Sequence, residues 1–294
     1  MKAVYLASKL TMPGSKDRRY DAFEHDQMMR ALVPAFEQQQ SSIVDAAWDD
    51  TDIEWSDFDA AIIGTTWDYC DRFEEFIATI EKINRLVPVF NSPELLKWNA
   101  NKAYLKELEA KGAKLIPTDW VEVPTKEAIK QSFSHFNCNK IVVKQQVGAN
   151  AEGQYQLSVG DEIPALNTPM MVQPFLSSIV EEGEYSFIFI GGDFSHALLK
   201  TPAEGDYRIQ SSYGGKEQKV NPTACDINTA KSILEFLDET PLYARIDMIR
   251  SSCGSELLLM ELEVIEPFLY PEQGEKLGNM MAVKIHSAVK NKAN

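Results

Sequence analysis

Short apolar runs and amphipathic stretches alternate through the first part of the chain. Met1 to Ala7 reads as a strand, followed by a polar loop, Thr11 to Arg19, with Gly and Pro signals. Phe23, Met28, Met29, Leu32 and Phe36 recur at helical spacing, as do Phe73, Phe76, Ile77, Ile80 and Ile83. Ser42 to Ala47, Ala60 to Thr65 and Val87 to Phe90 read as further strands. Strands alternating with helices predict a parallel α/β domain up to about Asn91. In such a sheet ligands sit at the carboxyl ends of the strands. Thr65-Thr66-Trp67-Asp68-Tyr69 leaves one of these ends and is a candidate substrate wall, the plain alternative being that Trp67 and Tyr69 only pack a loop.

The pattern then changes. Ser92-Pro93 opens a short helix, with Ser as N-cap and Pro at the first helical position. A second helix is predicted from about Asn101 to Lys111, stopped by Gly112, with a strand at Ala113 to Pro117. From Lys140 onward the character is antiparallel β. Ile141 to Lys144, Met170 to Pro174, Glu184 to Ile190, Phe194 to Lys200, Leu242 to Ile249 and Glu256 to Val264 read as strands, with a tight hairpin at Gly191-Gly192. Asp226 to Leu237 and Glu272 to about Lys290 are predicted helices, with Asn291 to Asn294 frayed.

Charge narrows the partners. A net charge of -15, from 44 acidic and 29 basic residues, argues against a nucleic-acid surface, which needs clustered Lys and Arg. The four cysteines, Cys70, Cys138, Cys225 and Cys253, form no CxxC pair and the four histidines are scattered, so a structural zinc site is not expected. No stretch approaches the roughly 20 apolar residues of a membrane span, and MKAVYLASKL reads as a strand rather than a signal peptide. The expectation is a cytoplasmic protein with no nucleic-acid or membrane partner.

Three places carry candidate chemistry. Lys102 falls in the first turn of its predicted helix, where a cation opposes the macrodipole unless an anion binds beside it. Lys144 ends an apolar strand and precedes Gln145-Gln146-Val147-Gly148-Ala149-Asn150-Ala151-Glu152-Gly153, a loop of small residues whose backbone N–H groups suit phosphates. The loop lacks the closing Gly-Lys-Ser/Thr of a Walker motif. Most informative is the late hairpin. Arg245 and Asp247 are two apart on one strand, and Glu261 and Glu263 two apart on the next, so each pair shares a face. The turn Ser251 to Ser255 brings Asp247 within a residue or two of Glu261. Three clustered carboxylates repel unless a cation sits among them, and magnesium shared with nucleotide phosphates is the usual resolution. The plain alternative, an exposed charged face, fits poorly with flanks as apolar as Leu257, Leu258, Leu259, Leu262 and Val264. Between these elements Lys200 and Arg208 flank a turn that runs on to Gly214-Gly215 and suits a transferring phosphoryl group; read alone, it is equally a surface loop.

The ordered set (Asn101-Lys102, Ile141 to Lys144 with its glycine loop, Met171 to Leu176, Gly183-Glu184, Arg208, Gly214-Gly215, Asp247, Glu261 and Glu263) resembles the ATP-grasp superfamily. The branch it most resembles is that of the prokaryotic glutathione synthetase ATP-binding domain, over about Asn99 to Pro267 and more weakly before it. The resemblance implies an α/β protein, α+β in its ATP-binding part. Its implied units are an amino-terminal parallel α/β substrate-side domain over 1–98, a lid subdomain and hinge over 99–176, and a metal-bearing subdomain over 177–294. Lys102 and Lys144 would contact ATP phosphates, covered by the loop from Gly148 to Gly153. Gln173, Pro174, Phe175 and Leu176 would line the adenine pocket and Glu184 would hold the ribose. Arg208 would stabilise the transferring phosphoryl group, with Lys200 and Arg245 nearby, and Asp247, Glu261 and Glu263 would bind two Mg²⁺ ions, Mn²⁺ being an alternative. Glu263 stands where related ligases commonly have Asn, and Ile265-Glu266-Pro267-Phe268 departs from true glutathione synthetases toward a group that includes the ligase closing the cycloserine ring.

The activity this implies is ATP- and Mg-dependent joining of a small-molecule carboxylate to an amine through an acyl phosphate, on a small amino-acid-like or peptide substrate, by an enzyme whose relatives commonly form homodimers. A regulatory ATP-binding protein and a phosphotransferase on the same fold are the alternatives, because function resides in the site rather than the fold.

Overall fold

The computed structural model describes residues 1–148, 153–210 and 213–293. The chain opens with β1 (Lys2–Ala7), α1 (Phe23–Gln38), β2 (Ser42–Ala47), β3 (Ala60–Ile63), α2 (Phe73–Leu86) and β4 (Val89–Phe90). These strands form a parallel sheet in the order β2-β1-β3-β4. Ala3 to Ala7 are all buried, as expected of a parallel strand covered on both faces. The helices α3 (Pro93–Asn99) and α4 (Tyr104–Ala110) follow, and Ser92 caps α3 by accepting from Leu95 N–H at 3.1 Å.

A second sheet comprises β5 (Asp119–Val121), β6 (Lys140–Gln145), β7 (Tyr155–Ser158) and β8 (Met170–Pro174), with α5 (Lys126–His135) between β5 and β6. It is antiparallel, in the order β5-β8-β6-β7. After α6 (Ser178–Glu181), the strands β9 (Glu184–Ile190), β10 (Asp193–Thr201), β11 (Lys216–Val220), β12 (Tyr243–Arg250) and β13 (Leu257–Glu263) build a five-stranded antiparallel sheet in the order β11-β10-β9-β12-β13. Helix α7 (Ala224–Leu234) separates β11 from β12, and α8 (Leu277–Ala293) closes the chain. The β9–β10 turn uses positive φ at both Gly191 and Gly192 (54° and 78°), the reason this hairpin is legible as Gly-Gly.

Three expectations need correction, and four elements were not anticipated. Ala113 to Pro117 is not a strand: only Leu115 bridges in parallel to Leu259, and Lys114 C=O accepts from Leu259 N–H at 2.8 Å, so the segment covers the edge of β13. Pro117 has no N–H with which to extend a ladder there. Helix α4 begins at Tyr104, so Lys102 lies in the turn before it, where its N–H donates to Gln146 C=O at 2.8 Å. The last helix starts at Leu277 rather than Glu272. The strands β5, β7 and β11 and helix α5 carry too few apolar residues to stand out by periodicity; β11 is an exposed edge reading KEQKV.

The carboxyl-terminal helix returns to the first sheet. Leu277, Met281 and Ile285 share one core with Leu32 and Phe36 of α1. The helices approach closely at Gly278, where an added Cβ would lie 2.2 Å from Ala31 C=O. Asn91 ties the parallel sheet to the five-stranded one: its side chain accepts from Leu242 N–H at 2.7 Å and donates to Tyr243 C=O at 2.9 Å and Val264 C=O at 2.7 Å. The Tyr243 hydroxyl lies 2.8 Å from Ile63 C=O and 2.7 Å from Ile265 C=O. The carboxyl end of β3 is thereby held against the ends of β12 and β13.

Candidate active site

Strand register assembles the site. On β12, Arg245 faces Glu263 and Asp247 faces Glu261 across β13, while Asp247 faces Ser186 across β9. Lys200 on β10 faces Glu184 on β9. Because alternate residues of a strand share a face, these side chains meet on one side of the sheet. A bulge leaves Met260 without a partner on β12, since Asp247 pairs with Glu261 and Met248 with Leu259. Met260 instead joins an apolar cluster with Phe175, Leu176, Tyr207 and Ile249.

The charges are tightly matched. Lys200 Nζ lies 3.3 Å from Glu184 and 3.6 Å from Asp247, and Arg245 Nε lies 3.1 Å from Asp247. Arg245 also pairs with Glu263, and the Ser186 hydroxyl donates to Asp247. Burial alone would raise the pKa of Asp247, but Arg245 and Lys200 hold it below the ordinary value. Burial prevails at Glu184 and Glu263, both pushed up to about 7 against the attraction of Lys200 and Arg245. Burial and Arg245 both disfavour the charged form of Lys200, yet Asp247 and Glu184 keep its pKa above normal.

The turn before α4 and the second sheet supply the facing cations. Lys102 Nζ pairs with Glu261 at 2.9 Å and donates to Gly148 C=O at 2.6 Å. Burial opposes its charge, but Glu261 raises its pKa overall. Lys144 on β6 is partly buried, which pulls its pKa down despite the charges of Glu261 and Glu184. Gly148 and Gly153 both adopt positive φ (150° and 65°), and residues 149–152 of the glycine loop lie outside the described residues. At the candidate adenine pocket Gln173 donates to the Thr118 hydroxyl at 2.9 Å, Pro174 ends β8, and the Phe175 ring meets Tyr207 edge-on at 6.1 Å.

Arg208 is not brought into this cluster. It forms a two-pronged pair with Asp206 (3.1 and 2.8 Å), holding that carboxyl well below its usual range, and stacks 3.6 Å from the Tyr213 ring. Ser211 and Ser212 of the same loop lie outside the described residues.

The donor set suits magnesium. Asp247, Glu261 and Glu263 offer hard oxygen ligands, and the upward push on Glu263 and Glu184 marks a place where further positive charge is stabilising. Among the described residues no three acidic, His or Cys side chains converge closely enough to hold an ion unaided. That is compatible with an ion held by one or two carboxylates and completed by phosphates.

Sequence reasoning missed the brace behind the hairpin. The Tyr104 hydroxyl accepts from Leu262 N–H at 2.8 Å and donates to Leu262 C=O at 2.9 Å. Asn99 donates to Leu262 C=O at 2.8 Å and accepts from Val264 N–H at 3.2 Å. Side chains thus replace a neighbouring strand along the edge of β13, between Glu261 and Glu263. A contact spanning 158 positions leaves no local sequence signal. Tyr104→Phe strips the partner from a buried N–H and is expected to lower unfolding stability by about 1–3 kcal/mol, read from the denaturant midpoint.

Residues 140–268 match the family profile of the prokaryotic glutathione synthetase ATP-grasp domain, and residues 4–91 that of the N-terminal domain of D-cycloserine synthetase DcsG. The chain is 27% identical over 245 residues to the cycloserine biosynthesis protein DcsG of Streptomyces lavendulae, spanning 76% of this chain and 80% of that one. It is 26% identical over 194 residues to the glutathione synthetase of Prochlorococcus marinus subsp. pastoris (strain CCMP1986 / NIES-2087 / MED4), spanning 62% of this chain and 58% of that one. The crystal structure of D-cycloserine synthetase DcsG superposes with a TM-score of 0.81 at 20% identity, covering 98% of this chain and all of that one (100%). A D-alanine–D-alanine ligase from Bacillus anthracis superposes with a TM-score of 0.67 at 14% identity, with 100% of both chains covered. The profile match over 4–91 extends the likeness into the amino-terminal part, where the motifs alone are weak. Lys144, Glu184, Lys200, Arg208, Arg245, Asp247, Glu261 and Glu263 all fall inside the match over 140–268, while Lys102 lies between the two matched stretches.

Proposed function

We propose that this chain, which has the ATP-grasp fold, is an ATP- and Mg²⁺-dependent ligase joining a small-molecule carboxylate to an amine. One observation carries the proposal: Asp247, Glu261, Arg245 and Glu263 share one sheet face by register, and Lys102 reaches that face from the side that also carries Lys144. The substrate carboxylate would attack the γ-phosphorus of ATP, releasing ADP and leaving an acyl phosphate; the amine would then attack the acyl carbon, breaking its bond to the phosphate oxygen, so that inorganic phosphate leaves and the amine proton is lost to solvent.

In this reading Lys102 and Lys144 bind phosphate oxygens, and the backbone from Gly148 to Gly153 covers them. Burial lowers the pKa of Lys144, and a phosphate beside it would favour its charged form. Gln173, Pro174, Phe175 and Leu176 form the adenine wall, with Met260 as its apolar floor. Glu184 takes the ribose hydroxyls. Asp247, Glu261 and Glu263 would hold two Mg²⁺ ions, with Mn²⁺ as the alternative, and the metal would supply charge neutralisation. Lys200 and Arg245 lie close enough to Asp247 to offset negative charge developing beside the metal. Arg208 joins them by exchanging Asp206 for the substrate's phosphoryl oxygens. The proposed units are 1–98 for the substrate side, 99–176 for the lid and hinge, and 177–294 for the metal side. A cytoplasmic location and a homodimer complete the proposal; no helix among the described residues is long and apolar enough to cross a membrane.

The deciding experiment supplies ATP, Mg²⁺ and candidate carboxylates, and traps the activated acid with hydroxylamine. A coloured iron–hydroxamate and stoichiometric ADP are expected. ADP release with a stable phosphorylated product and no hydroxamate identifies a phosphotransferase; ATP binding without ADP release identifies a regulatory protein.

A further inference from the structure

Beside the site, Tyr270 adopts a backbone conformation that its side chain disfavours, with φ of 49° in the left-handed region. Among the described residues the other non-glycine positions of positive φ are Gln40, Asn91 and Asn137. Asn visits that region readily, whereas a bulky aromatic there is strained and marks a place where the side chain itself is needed. The turn imposes the angle. Tyr270 C=O accepts from both Gln273 N–H and Gly274 N–H at 3.1 Å. Gly274 in turn packs so closely on the buried His196 that an added Cβ would lie 2.2 Å from its Cε1. Glycine or asparagine in place of Tyr270 would fit this turn with less strain. What they lack is the ring.

That ring lies against the charged face. The segment after β13 runs back over the sheet: Arg245 on β12 donates to Phe268 C=O at 3.2 Å, and Tyr270 reaches Lys200 on β10. Lys200 Nζ stands over the Tyr270 ring, 5.5 Å from its centroid, and the Phe268 ring meets Tyr270 edge-on at 4.6 Å. Both Lys200 and Tyr270 are buried. The ammonium makes one hydrogen bond among the described residues, to Glu184 at 3.3 Å, with Asp247 farther off at 3.6 Å. A desolvated ammonium with donors to spare is attracted to an aromatic face, where the ring quadrupole is negative. Strand register also offers Lys200 the exposed Glu217 on β11, yet its ion pairs are on the other side, with Glu184 and Asp247.

We propose that Tyr270 is a positioning residue whose ring face holds the Lys200 ammonium beside Glu184 and Asp247, where Lys200 offsets charge in the site. The proposal rests on the ligase reading for what Lys200 does there, so its test reads stability as well as turnover. In the full-length protein, Tyr270→Phe is compared with the same replacement carrying three ring fluorines. The two rings have nearly the same shape, but fluorine withdraws the electron density that makes the face attractive to a cation. Tyr270→Phe should keep ADP release within about threefold of wild type, since the ring face remains. The fluorinated ring should lower kcat about tenfold further while the KM for ATP changes by less than about twofold. It should also lower the urea midpoint, although fluorine adds apolar surface that would favour a ring serving only to pack. In the Lys200→Met background the difference between the two midpoints should close, because the ring then faces no cation. Equal kcat values and equal midpoints for the two rings overturn the proposal, as does a difference in midpoint that persists in the Lys200→Met background. A wild type that releases no ADP with any carboxylate sinks the ligase reading instead, and the midpoints alone then decide the role of Tyr270.

Discussion

ADP release by Glu261→Gln is expected to fall by about 10²- to 10³-fold at saturating ATP and Mg²⁺. A metal ion contributes several kcal/mol of charge stabilisation to a transition state, and each 1.4 kcal/mol or so is a factor of ten in rate. The change keeps the size of the side chain and removes one charged oxygen ligand from the pair set by the Asp247–Glu261 register. The fold should be little affected. Glu261 is 33% exposed and its partner Lys102 retains the Gly148 carbonyl, so the lost ion pair is of the partly solvated kind that contributes little. A coupled ADP assay beside a denaturation curve separates the two quantities. Turnover near the wild-type rate would remove Glu261 from the metal site.

Lys200→Met is expected to do the opposite to stability. Lys200, Glu184 and Asp247 are almost fully buried (7%, 7% and 6% side-chain exposure), so removing the cation strands Glu184 and leaves Asp247 to Arg245 and Ser186. Breaking a buried pair from one side costs about 3–5 kcal/mol. The deficit should depend on pH with a definite sign. Glu184 has a folded pKa of about 7, raised mainly by burial, against about 4.3 when unfolded. A raised carboxylate contributes stability below its unfolded pKa and loses that contribution as pH rises through the folded value. Lys200 limits this loss by favouring the ionised form. Without it the folded pKa of Glu184 climbs further, so the Lys200→Met deficit should be larger at pH 8 than at pH 5. Urea midpoints at the two pH values check this. Equal deficits would mean that Glu184 is not the group left stranded.

Much of the hairpin chemistry was readable because it depends on period and turns. Arg245 and Asp247, like Glu261 and Glu263, share a face whatever the rest of the chain does. The small turn Ser251 to Ser255 brings the strands together, and Asp247 and Glu261 are direct partners. The bulge that turns Met260 toward Phe175 was not readable, since it arises from how β12 fits between β9 and β13. Lys102 is expected in the first turn of a helix, but it stands two positions before α4 begins. Its position is unusual for another reason, the contacts with Glu261 and Gly148. Arg208 was expected among the phosphoryl-binding cations; in the structure its nearest countercharge, Asp206, is two residues away and holds it outside the cluster.

The sequence by itself determined the succession of a parallel α/β unit and antiparallel sheets, and the sidedness of the late acidic strands. Both follow from local periodicity and turn residues, which act over a few positions. Tertiary structure alone decided which cation meets which carboxylate, how Tyr104 and Asn99 brace β13, and that Trp67 is held on the Glu266 carbonyl beside the five-stranded sheet. Those outcomes depend on burial and on contacts across chain separations as wide as the 199 positions from Trp67 to Glu266. At that range charge and hydrogen-bond partners are set by packing, and spacing along the chain carries no record of them.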